Sequence, residues 1–178
     1  MDPPGQLQFQ RRLGQAQRLE ALWAPQPPAD VLELAFGKGM NLAYLAPRWP
    51  AVRFSGIDLT PRNVKHAQSQ PALAGAELAC GDMHALAFAA ESFDFIIGTN
   101  VLHAVSDVRA TLGHLRDLLA PGGTLVFMDT ATPQLWTETV FGLTSGWWRF
   151  TDRDLRPEQP LLERAQWERV LKGAGFSE

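Results

Sequence analysis

The sequence predicts an α/β fold, a doubly wound and mostly parallel sheet, and three observations carry that prediction. Five short apolar runs, at about 31–35, 52–58, 76–81, 93–99 and 124–129, alternate with stretches of helical character. Most of these runs are continuously apolar, as in strands buried on both faces of a parallel sheet. The first, Val31-Leu32-Glu33-Leu34-Ala35, breaks into Phe36-Gly37-Lys38-Gly39, and the second closes on the carboxylate Asp58.

Leu13, Ala16, Leu19, Leu22 and Trp23 recur at helical spacing ahead of the Pro-rich stretch 24–28, which predicts an amphipathic helix and linker over residues 1–29. That helix either covers a ligand or packs on the sheet. Residues 30–178 then form the main domain. A strand that breaks into a glycine turn and restarts as a helix brings backbone N–H groups close to a ligand. Asp58, ending the neighbouring strand, is placed to accept from ribose hydroxyls, so the pair points to a nucleoside cofactor. The dinucleotide form of this turn needs a third glycine where Leu42 stands, which makes NAD the poorer fit.

Thr60-Pro61 supplies an N-cap and a favoured first helical residue. Asp107 caps a helix whose stripe is Val108, Leu112, Leu115 and Leu119, and Pro121-Gly122-Gly123 ends it and leads into the fifth strand. A last helix is expected at 164–172.

With 16 basic and 19 acidic residues the formal charge is −3, so the basic footprint that nucleic-acid backbones select is absent. The chain size fits one domain. Met1-Asp2-Pro3-Pro4 lacks a basic region followed by an apolar stretch, and no segment approaches the roughly 20 apolar residues a membrane span requires. A cytoplasmic protein with no membrane or nucleic-acid partner is the expectation. Cys80 is the single cysteine, read as a buried thiol at a strand end with no catalytic role. His66, His84 and His114 share no ligand spacing with other donors, so no metal site is expected.

Glu33-x-Ala35-x-Gly37-x-Gly39 resembles the first motif of the class I S-adenosylmethionine-dependent methyltransferases, with Ala35 where the family has its first glycine. Gly81-Asp82-Met83, Phe93-Asp94-Phe95-Ile96-Ile97, Asn100-Val101-Leu102-His103 and Leu118-Leu119-Ala120-Pro121-Gly122-Gly123 follow in the family's order, over roughly 31–129. The resemblance implies a Rossmann-like methyltransferase core and S-adenosyl-L-methionine as cofactor. It sets Gly37 and Gly39 against the cofactor's amino-acid part, Asp58 on its ribose, Asp82 on the adenine amino group and Met83 beside the ring. Glu33, Ala35, Leu59 and Asn100 complete the cofactor-binding set, while Lys38 either reaches the cofactor carboxylate or points to solvent. Asp58 and Asp82 also fit turn formers at strand ends.

A narrower likeness rests on Asn100 to Ala104, Asp107 to Leu112 and Phe141 to Phe150, which look like the methyltransferase domains of modular polyketide synthases. Those domains methylate the carbon between the two carbonyls of a carrier-bound β-ketoacyl thioester. They use a histidine after the fourth strand and a glutamate ending the fifth, positions held here by His103 and by Asp129, one methylene shorter. The resemblance therefore implies His103 as base and Asp129 as its orienter. His103 also fits a structural histidine bridging loop backbone, and Asp129 a helix cap. The aromatic segment 136–150 fits a substrate wall or a core flap, and in an extended segment the adjacent Trp147 and Trp148 face opposite ways, so only one lines a pocket.

The sequence stops at Gly175-Phe176-Ser177-Glu178, where the family's next strand should begin, so the expectation is a core lacking the final two-strand hairpin and the large N-terminal lid region, whether as a fragment of a longer protein, a reduced variant or a chain that pairs with a neighbour. The fifth strand is thus expected to pair with further sequence or a partner chain, unless the aromatic segment covers it. The leading expectation is carbon methylation of a polyketide-type acyl thioester or related small molecule. A non-catalytic scaffold domain of a synthase and a small-molecule O-methyltransferase are its rivals.

Overall fold

The computed structural model describes residues 4–132 and 135–177, with side chains from residue 14 onward apart from those of 136 and 138. The chain runs α1 (Pro4–Trp23), β1 (Asp30–Leu34), α2 (Met40–Leu45), β2 (Arg53–Asp58), α3 (Pro61–Gln68), β3 (Glu77–Cys80), β4 (Phe93–Thr99), α4 (Val108–Leu118), β5 (Leu119–Met128), α5 (Leu135–Phe141) and α6 (Arg164–Gly173). All strand pairs are parallel, in the order β3-β2-β1-β4-β5. The order reverses between β1 and β4, the crevice where such sheets bind ligands at their carboxyl ends.

The period-two alternation of side chains divides the core between the two faces. Leu32, Leu34 and Ile96 pack on the α4 stripe Val108, Leu112, Leu115 and Leu118, with Trp167 and Val170 of α6 beside them. Val31 and Ile97 face the other way, under Ala16, Leu19 and Trp23 of α1, Leu42 and Leu45 of α2, and Val64 and Ala67 of α3. Each fully buried leucine contributes about 1.5–3 kcal/mol of transfer free energy, so the α1 contacts bind the N-terminal helix firmly to the sheet. The stripe is narrower than the spacing suggested: Leu22 is 56% exposed, and Leu13 lies outside the described side chains.

Three local expectations are corrected. Leu119 is not helical; it turns extended at φ −76°, ψ 133° and pairs with Phe93 as the first residue of β5. The strand therefore takes in Pro121, which the sheet tolerates because β5 is an edge among the described residues and a missing N–H there costs no ladder bond. Thr60 is the N-cap residue of α3 and Pro61 its first residue, as expected, but the Thr60 side chain makes no cap bond, and its own N–H goes to the Asp58 carboxylate at 2.8 Å. Cys80 is exposed, because β3 is the outer strand and only Leu78 of its four residues is buried. Asp107 does cap α4, accepting the Ala110 N–H at 2.9 Å. Among the described residues no helix is long and apolar enough to cross a membrane.

Candidate active site

Leaving β1, the backbone enters the left-handed region three times in five residues, at Ala35 (φ 48°), Gly37 (φ 61°) and Gly39 (φ 75°). Gly39 is required twice over, since a Cβ there would stand 2.8 Å from Leu73 Cδ1. The loop is fastened to the next strand by the Gly37 N–H, which donates to Asp58 Oδ2 at 2.7 Å. Asp58 Oδ1 accepts the Thr60 N–H and the Asn63 amide, at 2.8 and 3.1 Å. Asp58 is buried, and three donors hold a carboxylate that has about four acceptor positions.

Below the loop lies a buried polar knot that reading the sequence missed. The Asn41 amide donates to Glu33 Oε1 at 2.8 Å and also reaches Gln15 Oε1 and Thr99 Oγ1. Thr99 donates in turn to Gln15, whose amide holds the Gly98 carbonyl at 3.2 Å. Asn41 Oδ1 is buried without a hydrogen-bond partner. The available signal was a glutamine within the apolar stripe of α1 and an asparagine where α2 faces the core.

The other expected cofactor residues ring the same carboxyl edge. Asp82 is exposed and accepts the His84 N–H at 2.9 Å, closing a short turn. Met83 is half-buried, Leu59 is 67% exposed, and Lys38 is exposed. Asn100 follows β4 in the left-handed region at φ 51°, its N–H on the Met128 carbonyl at 2.7 Å. The cleft lined by Pro47, Val52, Phe54, Pro71 and Ala76 lies at the amino ends of β2 and β3, away from these groups.

Beyond the ends of β4 and β5, His103 and Asp129 meet. Asp129 Oδ1 lies 2.5 Å from His103 Nδ1, and Oδ2 accepts the His103 N–H at 2.9 Å. The shorter carboxylate therefore reaches the imidazole. Among the described residues its one further bond is from the Thr130 N–H, at 2.8 Å. The imidazole and carboxylate side chains are 14% and 3% exposed, a water-poor setting.

Trp147 packs against His103 with ring centroids 5.6 Å apart and stacks on Phe141, also at 5.6 Å. The segment is a 3-10 turn (Ser145–Trp148) rather than extended, so neighbouring side chains diverge by about 120°. Trp148 is 45% exposed and donates to the Gly142 carbonyl. Trp136 lies outside the described side chains. Also missed was a buried pair behind the dyad, Asp152 and Arg156, whose spacing of four residues was the only signal.

A family model described as a methyltransferase domain matches residues 7–177. The chain is 33% identical over 171 residues to the highly reducing polyketide synthase pspA of Penicillium soppii, covering 89% of the chain and 7% of that synthase. It is 42% identical over 91 residues to the polyketide synthase ThaG of Burkholderia thailandensis, covering 51% of the chain and 2% of the synthase. Among solved structures it is similar to the CurJ carbon methyltransferase at 34% identity and a TM-score of 0.79, covering 87% of this chain and 44% of that one. The trans-methyltransferase CalH, solved in complex with SAH, matches at 29% identity and a TM-score of 0.72, over 82% of this chain and 44% of that one. The chain thus spans less than half of each of these two structures and a small part of each synthase.

Proposed function

The chain belongs to the family of methyltransferase domains, and from that premise we propose that it methylates the carbon between the two carbonyls of a carrier-bound β-ketoacyl thioester. It is an S-adenosylmethionine-dependent methyltransferase similar to the carbon methyltransferase domains of polyketide synthases. The finer assignment is supported above all by the double grip of Asp129 on His103, beside the crevice at the sheet's switch point.

The residues at the crevice fit the cofactor. Asp58 keeps acceptor capacity beyond its three internal donors, the chemistry a ribose diol needs. Half-buried Met83 and exposed Leu59 offer apolar surface to a flat base, and Asp82 offers an acceptor to its amino group. Ala35, Gly37 and Gly39 form the turn assigned to the amino-acid end, with Asn100 just past β4 across from them, and buried Glu33 supports the turn from behind through Asn41. S-adenosylmethionine, when bound, supplies a methyl group on a sulfonium, open to in-line displacement.

His103 acts as the base in this reading. With Nδ1 committed to Asp129, Nε2 is left as the basic atom. Nε2 would take the proton from the carbon between the carbonyls, and the electron pair left behind would form the new carbon–carbon bond as the methyl–sulfur bond breaks, its pair leaving on S-adenosylhomocysteine. Asp129 balances the imidazolium that results, and Trp147 keeps water from the reacting carbon. Positioning supplies most of the rate, since effective molarity from alignment is worth about 7–11 kcal/mol.

The test is mass spectrometry of a β-ketoacyl thioester incubated with the chain and S-adenosylmethionine. Gain of one methyl on carbon supports the proposal; methylation on oxygen, or none at saturating cofactor, rejects it.

A further inference from the structure

His103 is fastened on both sides of its own backbone. Its N–H goes to Asp129, and its carbonyl accepts from Arg156 Nη1 at 2.9 Å. Arg156 Nη2 also reaches the carbonyls of Val105 and Ser106, at 2.9 and 3.1 Å. The guanidinium is held by Asp152, through Nε at 2.7 Å and Nη2 at 2.6 Å, and both side chains are almost wholly buried. Asp152 uses its other oxygen to accept the Val108 N–H at the start of α4, 3.0 Å away. Thr151 adds its N–H and hydroxyl to the Ser106 carbonyl. One planar, five-donor cation therefore gathers three carbonyls of the loop that carries His103, a task a lysine point charge cannot repeat.

The segment that brings Arg156 is continuous with the aromatic turn. Phe150 packs under the guanidinium of Arg153 at 4.1 Å and that of Arg156 at 5.0 Å, a few residues after Trp147 touches the His103 ring. Wall and imidazole are thus set by one piece of chain. A buried ion pair is often replaceable by apolar side chains of like volume without loss of stability. Here such a replacement leaves the His103, Val105 and Ser106 carbonyls without this donor.

We propose that Arg156 is a positioning residue that holds the His103 loop so that the imidazole stays on Asp129 with Nε2 toward the acceptor. This rests on the reading of His103 as the base. Asp152 is the anchor that orients the guanidinium, and the effect on chemistry runs through His103 alone.

The experiment compares Arg156→Met, Arg156→Lys, His103→Ala and the double variant His103→Ala/Arg156→Met by thioester methylation, S-adenosylhomocysteine titration and long-range proton–nitrogen spectra of the histidine rings. Arg156→Met is expected to lower kcat by about 10- to 100-fold with cofactor affinity kept, and Arg156→Lys to fall between it and the native chain. In the His103→Ala background the same change costs nothing further. The His103 ring signal, identified by its loss in His103→Ala, moves from the Nδ1–H tautomer toward the free-imidazole mixture in both Arg156 variants. Should Arg156→Met fail to fold, the ring signal and kcat of Arg156→Lys decide. An unchanged tautomer, or losses that add in the double variant as a merely structural residue's would, overturns the proposal. Full turnover in His103→Ala with a tautomer that still responds to Arg156 would instead reject the base and leave the positional link standing.

Discussion

Asp129 holds His103 by two bonds to one residue, Oδ2 to the backbone N–H at 2.9 Å and Oδ1 to the ring Nδ1 at 2.5 Å. The first bond fixes where the loop after β4 sits relative to the end of β5, and the second fixes the ring's rotation and tautomer. An aspartate suffices because its carboxylate lies just past Met128, the last residue of β5, against a residue only four beyond Thr99, the last of β4. Asp129→Asn should place an amide N–H against Nδ1, force the wrong tautomer and lower kcat by about 100- to 10,000-fold. Cofactor affinity should stay within a small factor. Steady-state kinetics beside calorimetric titration separates the two effects.

Asp58 has one task in the structure and a second in the proposed function, and its removal should be read in both. Asp58→Ala strips a partner from the Gly37 and Thr60 N–H groups and, in the proposed cofactor site, from the ribose hydroxyls. Charge-assisted bonds of about 1.5–3 kcal/mol put the loss of S-adenosylhomocysteine affinity at about 10- to 100-fold or more. Thermal unfolding should shift down as well. An unchanged Kd with a lowered Tm would make Asp58 a turn former alone.

Ala35 occupies a left-handed position, φ 48°, that glycine fills without a steric penalty. The strain costs about 1–2 kcal/mol, against about 0.4–1 kcal/mol that glycine loses through the unfolded chain. Ala35→Gly should therefore raise stability, by up to about 1.5 kcal/mol, and leave turnover intact. Urea unfolding midpoints measure it.

The two adjacent tryptophans should behave differently. Trp147→Ala removes the ring packed on His103 and should raise KM for the thioester by about tenfold. Trp148→Ala, whose indole is held to the Gly142 carbonyl on the surface, should leave KM within about twofold.

Much of this architecture was readable in the residues. The five apolar runs located the strands because both faces of a parallel sheet bury alike, Gly37 and Gly39 marked the turn after β1 because few residues tolerate those backbone positions, and Asp58 stood out as a carboxylate ending an apolar run. Leu119 was misread because an apolar residue at helical spacing looks the same whether the helix ends before or after it. Cys80 was misread because apolarity alone does not distinguish a central strand from the outer one. Gln15, Asn41 and Thr99 lie as many as 84 residues apart, and their meeting depends on which helix crosses which strand. Arg156 was invisible for the same reason: its partners at 103, 105 and 106 come from a loop about 50 residues earlier.

The most direct test of the account is methyl transfer by the native chain and by His103→Ala on one β-ketoacyl thioester, with S-adenosylhomocysteine affinity measured on both. A carbon-methylated product from the native chain, its loss by at least about 100-fold in the variant, and equal affinities are expected. Equal turnover by the two proteins, with equal affinities, would contradict it.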